Sequence, residues 1–283
     1  MISIKVNPSC TWGDTPELEK YLSFLSDRQE QYPSSSTQAH LDIAQEASDH
    51  GYCKVKSFID PQRLLVIKEE FNKVRDLGNL QYQDAYTEQC AHPLVNLSSV
   101  YDVVFDDEVV RLASAYFGCL PTLNNVQVRR SKATHLSEAQ LPGNGQTTLF
   151  HCDKDSPRFI KFFFYLDDVG VDNGPFTYVH GSHLEKFANW RNQYRRSESE
   201  ILSIYGKDRI KTLTGKVGDL ILGNTNGFHK GKKVTVGERL LMTAYYSVHP
   251  TQWQTTYGGQ IKKQDYDNLP ASKKPMADYL NKV

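Results

Sequence analysis

Residues 148–168 of this 283-residue chain have the sequence TLFHCDKDSPRFIKFFFYLDD, in which two segments rich in β-forming residues flank a polar turn. The segments correspond to residues 147–153 and 159–166, and their length and composition are typical of β-strands. Further segments of this kind, separated by Gly, Pro, Asn and Asp, cover residues 122–130, 175–179, 216–222 and 239–248. Short strands at this spacing predict a β-sandwich or a β-barrel.

The first third of the chain has the periodicity of helices rather than of strands. Helix caps and apolar spacing predict helices over residues 15–25, 36–49, 60–78, 107–117, 183–195, 197–205 and 271–280. We expect residues 1–283 to form a single domain. In it, residues 1–120 are a mainly helical part packing on the β-rich core of residues 121–250, and residues 251–283 form a C-terminal tail.

Charge and hydropathy argue against nucleic acid and membranes as main partners. The chain has 33 Lys and Arg against 33 Asp and Glu, whereas proteins that bind nucleic acid usually carry a basic excess. No window reaches about 18 uncharged apolar residues, and the opening residues lack the apolar stretch of a secretory signal. We therefore expect a cytoplasmic protein whose partner is a small molecule rather than nucleic acid or a membrane. No pattern indicates an oligomeric state.

A tripeptide at the end of a predicted strand suggests a metal site. His151 and Asp153 are two residues apart, so alternation places both side chains on one face. His229 supplies a third ligand, after the glycine-rich segment 218–227. Two imidazoles and one carboxylate form a facial triad, which leaves positions on Fe(II) open for a co-substrate and O₂. His180 and His183 are alternatives to His229, although Gly181-Ser182-His183 has the pattern of a turn into a helix.

Three polar residues on the predicted strands are candidates for binding an anionic co-substrate. Arg239 follows His229 by ten residues and has a planar guanidinium suited to the distal carboxylate of a dicarboxylic acid. Thr243 has the same strand parity and could add a hydroxyl contact. Lys161 either reaches a carboxylate inside a barrel or extends along a strand edge into solvent.

The chain resembles the phytanoyl-CoA dioxygenase-like family of Fe(II)/2-oxoglutarate-dependent oxygenases. Each motif is short, and the resemblance rests on their occurrence in the family's order across about residues 147–247. The matching residues are His151-Cys152-Asp153, Tyr165-Leu166-Asp167-Asp168-Val169, Asn173-Gly174-Pro175-Phe176, Gly181-Ser182-His183, Gly218-Asp219, His229 and Arg239.

The resemblance implies a double-stranded β-helix, which is a jelly-roll, cupin-like barrel, with helices flanking it. It implies iron ligands at His151, Asp153 and His229 and binding of the 2-oxoglutarate C5 carboxylate by Arg239. Family members often place an amide near 2-oxoglutarate, and Gln127 or Asn125 matches this position.

The resemblance also bears on the type of oxidation. Relatives that halogenate carry a small residue at the position of Asp153, so the intact carboxylate implies hydroxylation or a related oxidation. The expected reaction is hydroxylation of a polar small molecule with release of succinate and CO₂.

Two other functions remain open on the sequence. A cupin-like metal enzyme that does not use 2-oxoglutarate would need the triad but not Arg239. A non-catalytic jelly-roll binding module would keep the fold without binding iron. The complete triad favours an enzyme.

Overall fold

A computed structural model describes residues 16–31, 35–137, 140–141, 148–153, 155–185, 195–250 and 259–283. In its first part it contains helices Pro16–Gln31 (α1), Gln38–His50 (α2), Pro61–Asp76 (α3), Pro93–Asn96 (α4), Ser98–Val104 (α5) and Asp107–Phe117 (α6). Helices later in the chain are Glu198–Tyr205 (α7), Lys263–Asn268 (α8) and Lys274–Ala277 (α9). None of the described helices is both long enough and apolar enough to cross a bilayer.

The boundaries of the main N-terminal helices follow from local chemistry. Thr37 caps α2 by exchanging hydrogen bonds with His40, and Gly51 ends it with φ 88°. Asp60 caps α3 through the backbone N–H of Gln62.

A seven-stranded sheet forms the centre of the molecule. Its strand order is β1-β10-β6-β12-β4-β3-β2, and every neighbouring pair in it is antiparallel. The strands are Tyr52–Val55 (β1), Leu80–Gln83 (β2), Thr87–Cys90 (β3), Thr122–Lys132 (β4), Phe159–Tyr165 (β6), Leu220–Gly223 (β10) and Glu238–Ser247 (β12). We call it the larger sheet.

A five-stranded antiparallel sheet packs against the larger sheet. Its order is β8-β5-β11-β7-β9, and we call it the smaller sheet. Its strands are Phe150–His151 (β5), Phe176–Val179 (β7), Arg195–Arg196 (β8), Ile210–Leu213 (β9) and His229–Gly231 (β11). The rings of Phe163 on β6 and Phe176 on β7 meet at 4.5 Å between centroids, which joins the two sheets. Separately, Gln260–Ile261 (β13) and Asn281–Lys282 (β14) form a short parallel pair.

The two faces of the larger sheet have different environments. Alternate residues such as Val128, Phe162, Phe164 and Met242 are fully buried in one apolar core with the N-terminal helices. The opposite residues face the smaller sheet, and on β4 they are the polar Asn125, Gln127 and Arg129. This arrangement leaves a polar interior between the sheets, which is the region where the candidate site lies.

The structure confirms a β-rich centre with antiparallel sheets and flanking helices. It also shows that residues 1–120 contribute three strands, β1, β2 and β3, to the larger sheet. The helix expected over residues 183–195 is wrong at both ends: Ser182–Leu184 is a single 3-10 turn, and Arg195–Arg196 belongs to β8. Residues 186–194 lie outside the described residues.

Candidate active site

Two histidines lie side by side in the smaller sheet. His151 on β5 and His229 on β11 are directly opposite each other, so both side chains project from the same face. Their ring centroids are 4.2 Å apart. Nδ1 lies 3.0 Å from Leu149 O in His151 and 2.9 Å from Gly227 O in His229. Because a carbonyl oxygen only accepts, each Nδ1 carries the proton, and each Nε2 lone pair is available to a metal ion.

Asp153 brings a carboxylate to the two imidazoles. Its backbone N–H donates to Thr225 O at 2.8 Å, which ties the segment after β5 to the turn before β11. Its Oδ1 is 3.7 Å from His151 Nε2, and its Oδ2 is 3.5 Å from His229 Nε2. One ligand atom from each of the three residues lies within 4.8 Å of the others, and no other such set of His, Cys, Asp or Glu occurs among the described residues. The sequence prediction that these three side chains meet is confirmed.

The charge states of these groups suit a metal site. Burial lowers the pKa of both imidazoles, and for His229 burial and the neighbouring His151 lower it to about 3. Burial opposes ionisation of Asp153, but Lys161 and the two imidazoles hold its pKa below the usual carboxyl value. At neutral pH the cluster therefore offers two neutral nitrogen donors and one carboxylate.

Lys161 contacts the carboxylate of the cluster directly. Its Nζ lies 2.7 Å from Asp153 Oδ2 and 3.5 Å from Asp155 Oδ2. The aromatic rings of Phe159 and Tyr245 flank the ammonium, with centroids 5.7 and 5.3 Å away. Of the two alternatives that the sequence left open, Lys161 thus reaches a carboxylate in the interior. A contact with 2-oxoglutarate stays a prediction.

Arg239 lies at the start of β12 and reaches across to the smaller sheet. A Cβ added to Gly231 would lie 3.5 Å from both Nη atoms of Arg239. Because Gly231 follows His229 by two residues, this Cβ would project from the same face as the His229 ring, about 7 Å along the strand. Arg239 donates to Gly174 O and, at 3.3 Å, to Ser131 Oγ. Its Nε is buried and has no hydrogen-bond partner among the described residues. The guanidinium therefore has a donor available for an anion in the interior.

Thr243 and Gln127 are directly opposite each other on β12 and β4. Both are half-buried and have the same strand parity as Arg239, so they face the interior between the sheets. The structure places them on the predicted side, and their contact with a cofactor stays a prediction.

The two histidines that were alternatives to His229 lie outside the site, and one further carboxylate lies in it. His183 lies within hydrogen-bond distance of Ser48 O at 2.8 Å, and His180 packs against His50 with ring centroids 4.7 Å apart. Neither belongs to the described metal-ligand set. The sequence analysis did not identify Asp155, whose carboxylate contacts Lys161 as that of Asp153 does. Its position two residues after Asp153 could have indicated that the two carboxylates lie close together.

A sequence profile of the phytanoyl-CoA dioxygenase family, described as "Phytanoyl-CoA dioxygenase (PhyH)", matches residues 47–239. The match covers more than half of the chain and includes the three clustered side chains and Arg239. The chain belongs to the phytanoyl-CoA dioxygenase family. It is therefore a 2-oxoglutarate-dependent dioxygenase with non-haem iron.

Two solved structures of similar fold are of enzymes described with alpha ketoglutarate. The epimerase SnoN, in complex with Fe³⁺, alpha ketoglutarate and nogalamycin RO, is 17% identical, with 74% of this chain and 83% of SnoN covered and a TM-score of 0.59. The alpha ketoglutarate dependent carbocyclase SnoK from nogalamycin biosynthesis is 15% identical, with coverages of 75% and 84% and a TM-score of 0.56.

AviO1 from Streptomyces viridochromogenes Tue57 is 15% identical, with 75% of this chain and 96% of AviO1 covered and a TM-score of 0.54. At such identities the likeness establishes the fold of this phytanoyl-CoA dioxygenase family member. No curated protein sequence matches it.

Proposed function

We propose that this dioxygenase hydroxylates a polar small molecule, with His151, Asp153 and His229 as Fe(II) ligands and Arg239 as the residue that binds the 2-oxoglutarate C5 carboxylate. The observation that carries the proposal is the convergence of three ligand atoms within 4.8 Å, on a face that also receives the Arg239 guanidinium. In the overall reaction, a substrate C–H bond, O₂ and 2-oxoglutarate give a C–OH group, succinate and CO₂.

The residues present fit ferrous iron. Two imidazole nitrogens and one carboxylate oxygen form a three-ligand set that leaves coordination positions for exogenous ligands. A closed structural zinc site would take four protein ligands, usually with cysteine among them. Cys152, the nearest cysteine in sequence, lies in a separate apolar cluster with Phe150 and Val179. The donor set therefore supports a catalytic iron site.

The residues present also fit 2-oxoglutarate. The buried Nε of Arg239 supports binding of the C5 carboxylate, and the guanidinium lies beside Gly231, which is about 7 Å along β11 from His229. We assign the cross-strand pair Thr243 and Gln127 to the wall beside the co-substrate, and Lys161 to the end nearest the triad.

The protein contributes positioning and exclusion of water. When bound, iron supplies the activation of O₂ that couples 2-oxoglutarate decarboxylation to substrate oxidation. Lys161 holds Asp153, and the two backbone carbonyls hold the imidazoles in one tautomer. The ring of Phe176 packs 5.7 Å from the His229 ring and 4.5 Å from the Phe163 ring, which shields this side of the site from water.

The fold and domain assignments are part of this proposal. The two packed antiparallel sheets correspond to the two layers of a double-stranded β-helix, and residues 1–283 form one oxygenase domain. The strands β1, β2 and β3 support a single domain, because they join the N-terminal part to the same sheet that holds Lys161 and Arg239.

The test is succinate formation from 2-oxoglutarate with Fe(II) and O₂, in the presence of a pool of small metabolites. We expect turnover by the wild-type protein and background turnover by Asp153→Ala. Asp168→Ala is the matched control, because Asp168 is an exposed carboxylate that pairs with Lys216. No turnover by the wild type with any metabolite pool, or full turnover by Asp153→Ala, would reject the proposal.

A further inference from the structure

Five side-chain amides line a cavity beside β4. They come from β2, β3, β4 and β13: Gln81, Gln89, Asn125, Gln127 and Gln260. The remaining lining residues in the described part of the chain include His92 and Cys90 but no Lys, Arg, Asp or Glu. Burial raises the pKa of Cys90 to about 12, so its thiol is neutral. Apart from Pro93, Leu94, Val126 and Gly259, the described wall of the cavity is polar, and none of its side chains carries a permanent charge.

The cavity faces the same interior as the triad. Asn125 on β4 is opposite Tyr245 on β12, and Tyr245 is opposite Lys161 on β6. Directly opposed residues project from one face of a sheet, so these three side chains point in the same direction. Two inter-strand spacings, about 10 Å, separate Asn125 from Lys161, whose Nζ contacts Asp153. A molecule in the cavity would lie within reach of the site where oxidation takes place.

Two of the five amides hydrogen-bond to other described side chains, and three do not. Gln89 accepts from the Arg129 guanidinium at 2.8 Å and donates to Gln81 Oε1 at 3.2 Å. The half-buried side chains of Asn125, Gln127 and Gln260 form no hydrogen bond with any other described residue. Each of these available amides presents two N–H donors and one carbonyl acceptor to the cavity.

This lining discriminates between classes of ligand. The Arg129 guanidinium lies behind Gln89 and donates to it rather than lining the wall. A carboxylate or phosphate would therefore lose water without direct contact to a cation of the wall, and an ammonium would gain no carboxylate. An aliphatic chain would cover the available amides and leave them without partners. A molecule with neutral hydroxyl or amide groups satisfies both donors and acceptors.

We propose that this cavity binds the substrate through Asn125 and Gln260, next to the wall that Gln127 shares with the co-substrate, and that the substrate is an uncharged compound rich in hydroxyl or amide groups. The inference rests on the proposed function, because it takes the triad as the place of oxidation. The proposed function names only a polar small molecule as substrate. The inference adds that this molecule is uncharged and forms hydrogen bonds.

The test measures binding of small probes to the protein loaded with Mn(II) and 2-oxoglutarate. The probes are methyl glucoside and acetamide as neutral compounds, gluconate as an anion, glucosamine as a cation and hexanol as an apolar compound. Paramagnetic relaxation of probe protons by Mn(II) reports both affinity and proximity to the metal. We expect the neutral probes to bind more tightly than the other three.

Variants that replace single amide side chains of the cavity test whether those amides bind the probes. Loss of one neutral hydrogen bond should weaken neutral-probe binding about three- to tenfold in Asn125→Leu and in Gln260→Leu. Gln62→Leu should leave it unchanged, since Gln62 is an exposed amide on α3. Preferential binding of gluconate, glucosamine or hexanol, absence of neutral-probe binding, or equal binding by all variants would overturn the inference.

Binding of Mn(II) and 2-oxoglutarate is measured first in the same samples, by relaxation of water protons. If both bind and the neutral probes do not, the inference fails while the proposed function stands. If neither binds, both fail together.

Discussion

Lys161 ties a buried positive charge to the Asp153 carboxylate. The contact is 2.7 Å long, and the two groups are 80% or more buried at the side chain. Groups that hold a ligating carboxylate in place commonly change metal affinity when they are removed. We predict that Lys161→Met weakens Fe(II) binding about tenfold or more. Anaerobic equilibrium dialysis against Fe(II) measures this effect.

A surface ion pair provides the control for Lys161. Lys216 and Asp168 are also 2.7 Å apart, but the lysine side chain is 78% exposed. Lys216→Met should bind iron like the wild type, since exposed pairs contribute little. Unchanged iron affinity in Lys161→Met would show that Asp153 does not depend on this contact.

The proposed role of Arg239 is to bind the C5 carboxylate of 2-oxoglutarate. A charge-assisted hydrogen bond lost from a buried site costs about 2–3 kcal/mol, which corresponds to about 30- to 150-fold in affinity. We predict that Arg239→Gln raises the KM for 2-oxoglutarate by about this factor. The measurement is succinate formation as a function of 2-oxoglutarate concentration.

A co-substrate analogue with a methyl group in place of the C5 carboxylate provides the control for Arg239. 2-Oxopentanoate lacks the C5 carboxylate, so its weak use should be the same in the wild type and in Arg239→Gln. An equal loss for both compounds would mean that the substitution acts by disrupting the fold.

At the residue scale, the sequence could predict that His151 and Asp153 lie together because they are only two residues apart. It could not show that β5 ends at His151 and that Asp153 is held by a backbone hydrogen bond to Thr225 O. It could not predict the orientation of Lys161. That choice depends on Asp153 and Asp155 both lying within reach of β6, and this proximity exists only after the chain has folded.

The turn before β11 sets the position of His229. Gly227 O lies 2.9 Å from His229 Nδ1, and a Cβ added to Gly227 would lie 2.0 Å from Tyr178 Oη and 2.8 Å from Ser182 Oγ. We predict that Gly227→Ala displaces this turn, destabilises the protein by about 1–3 kcal/mol and weakens iron binding. Thermal unfolding and Fe(II) dialysis of one sample measure both effects.

Gly170→Ala is the control for the turn. Gly170 is exposed, and its added Cβ would meet only the Asn173 side chain, at 3.2 Å. It should retain wild-type stability and iron affinity. If Gly227→Ala behaved in the same way, the close packing of this turn would have no bearing on the site.

At the element scale, long elements were predictable and short ones were not. Helices α2, α3 and α6 have capping residues and apolar periodicity, and strands β4, β6 and β12 have seven or more residues. Strands β5 and β8 have two residues each, which is too short for alternation to be seen. Their pairing with one another, and that of β5 with β11, depends on the tertiary structure rather than on local preference.

At the scale of the whole molecule, the N-terminal helices pack on the larger sheet, which also holds Lys161 and Arg239 of the candidate site. Phe71 on α3 is fully buried, and the guanidinium carbon of Arg130 on β4 lies 5.0 Å from its ring centroid. We predict that Phe71→Ala destabilises the protein by about 3–5 kcal/mol. The loss of far-ultraviolet circular dichroism and the release of bound metal should shift together, because we propose that both parts belong to one domain.

Val66→Ala is the control for this prediction, since Val66 lies on the same helix and is 44% exposed. It should change the unfolding temperature only slightly. Metal release that stayed at the wild-type temperature in Phe71→Ala would mean that the core unfolds independently of residues 1–120.

The most direct test of the account is anaerobic binding of Fe(II) in the presence of 2-oxoglutarate. Equilibrium dialysis should give one iron per chain for the wild type and for His180→Ala, and no binding above background for His229→Ala. Equal iron binding by His229→Ala and the wild type, or no binding by the wild type, would contradict the claim that His151, Asp153 and His229 share one ferrous ion.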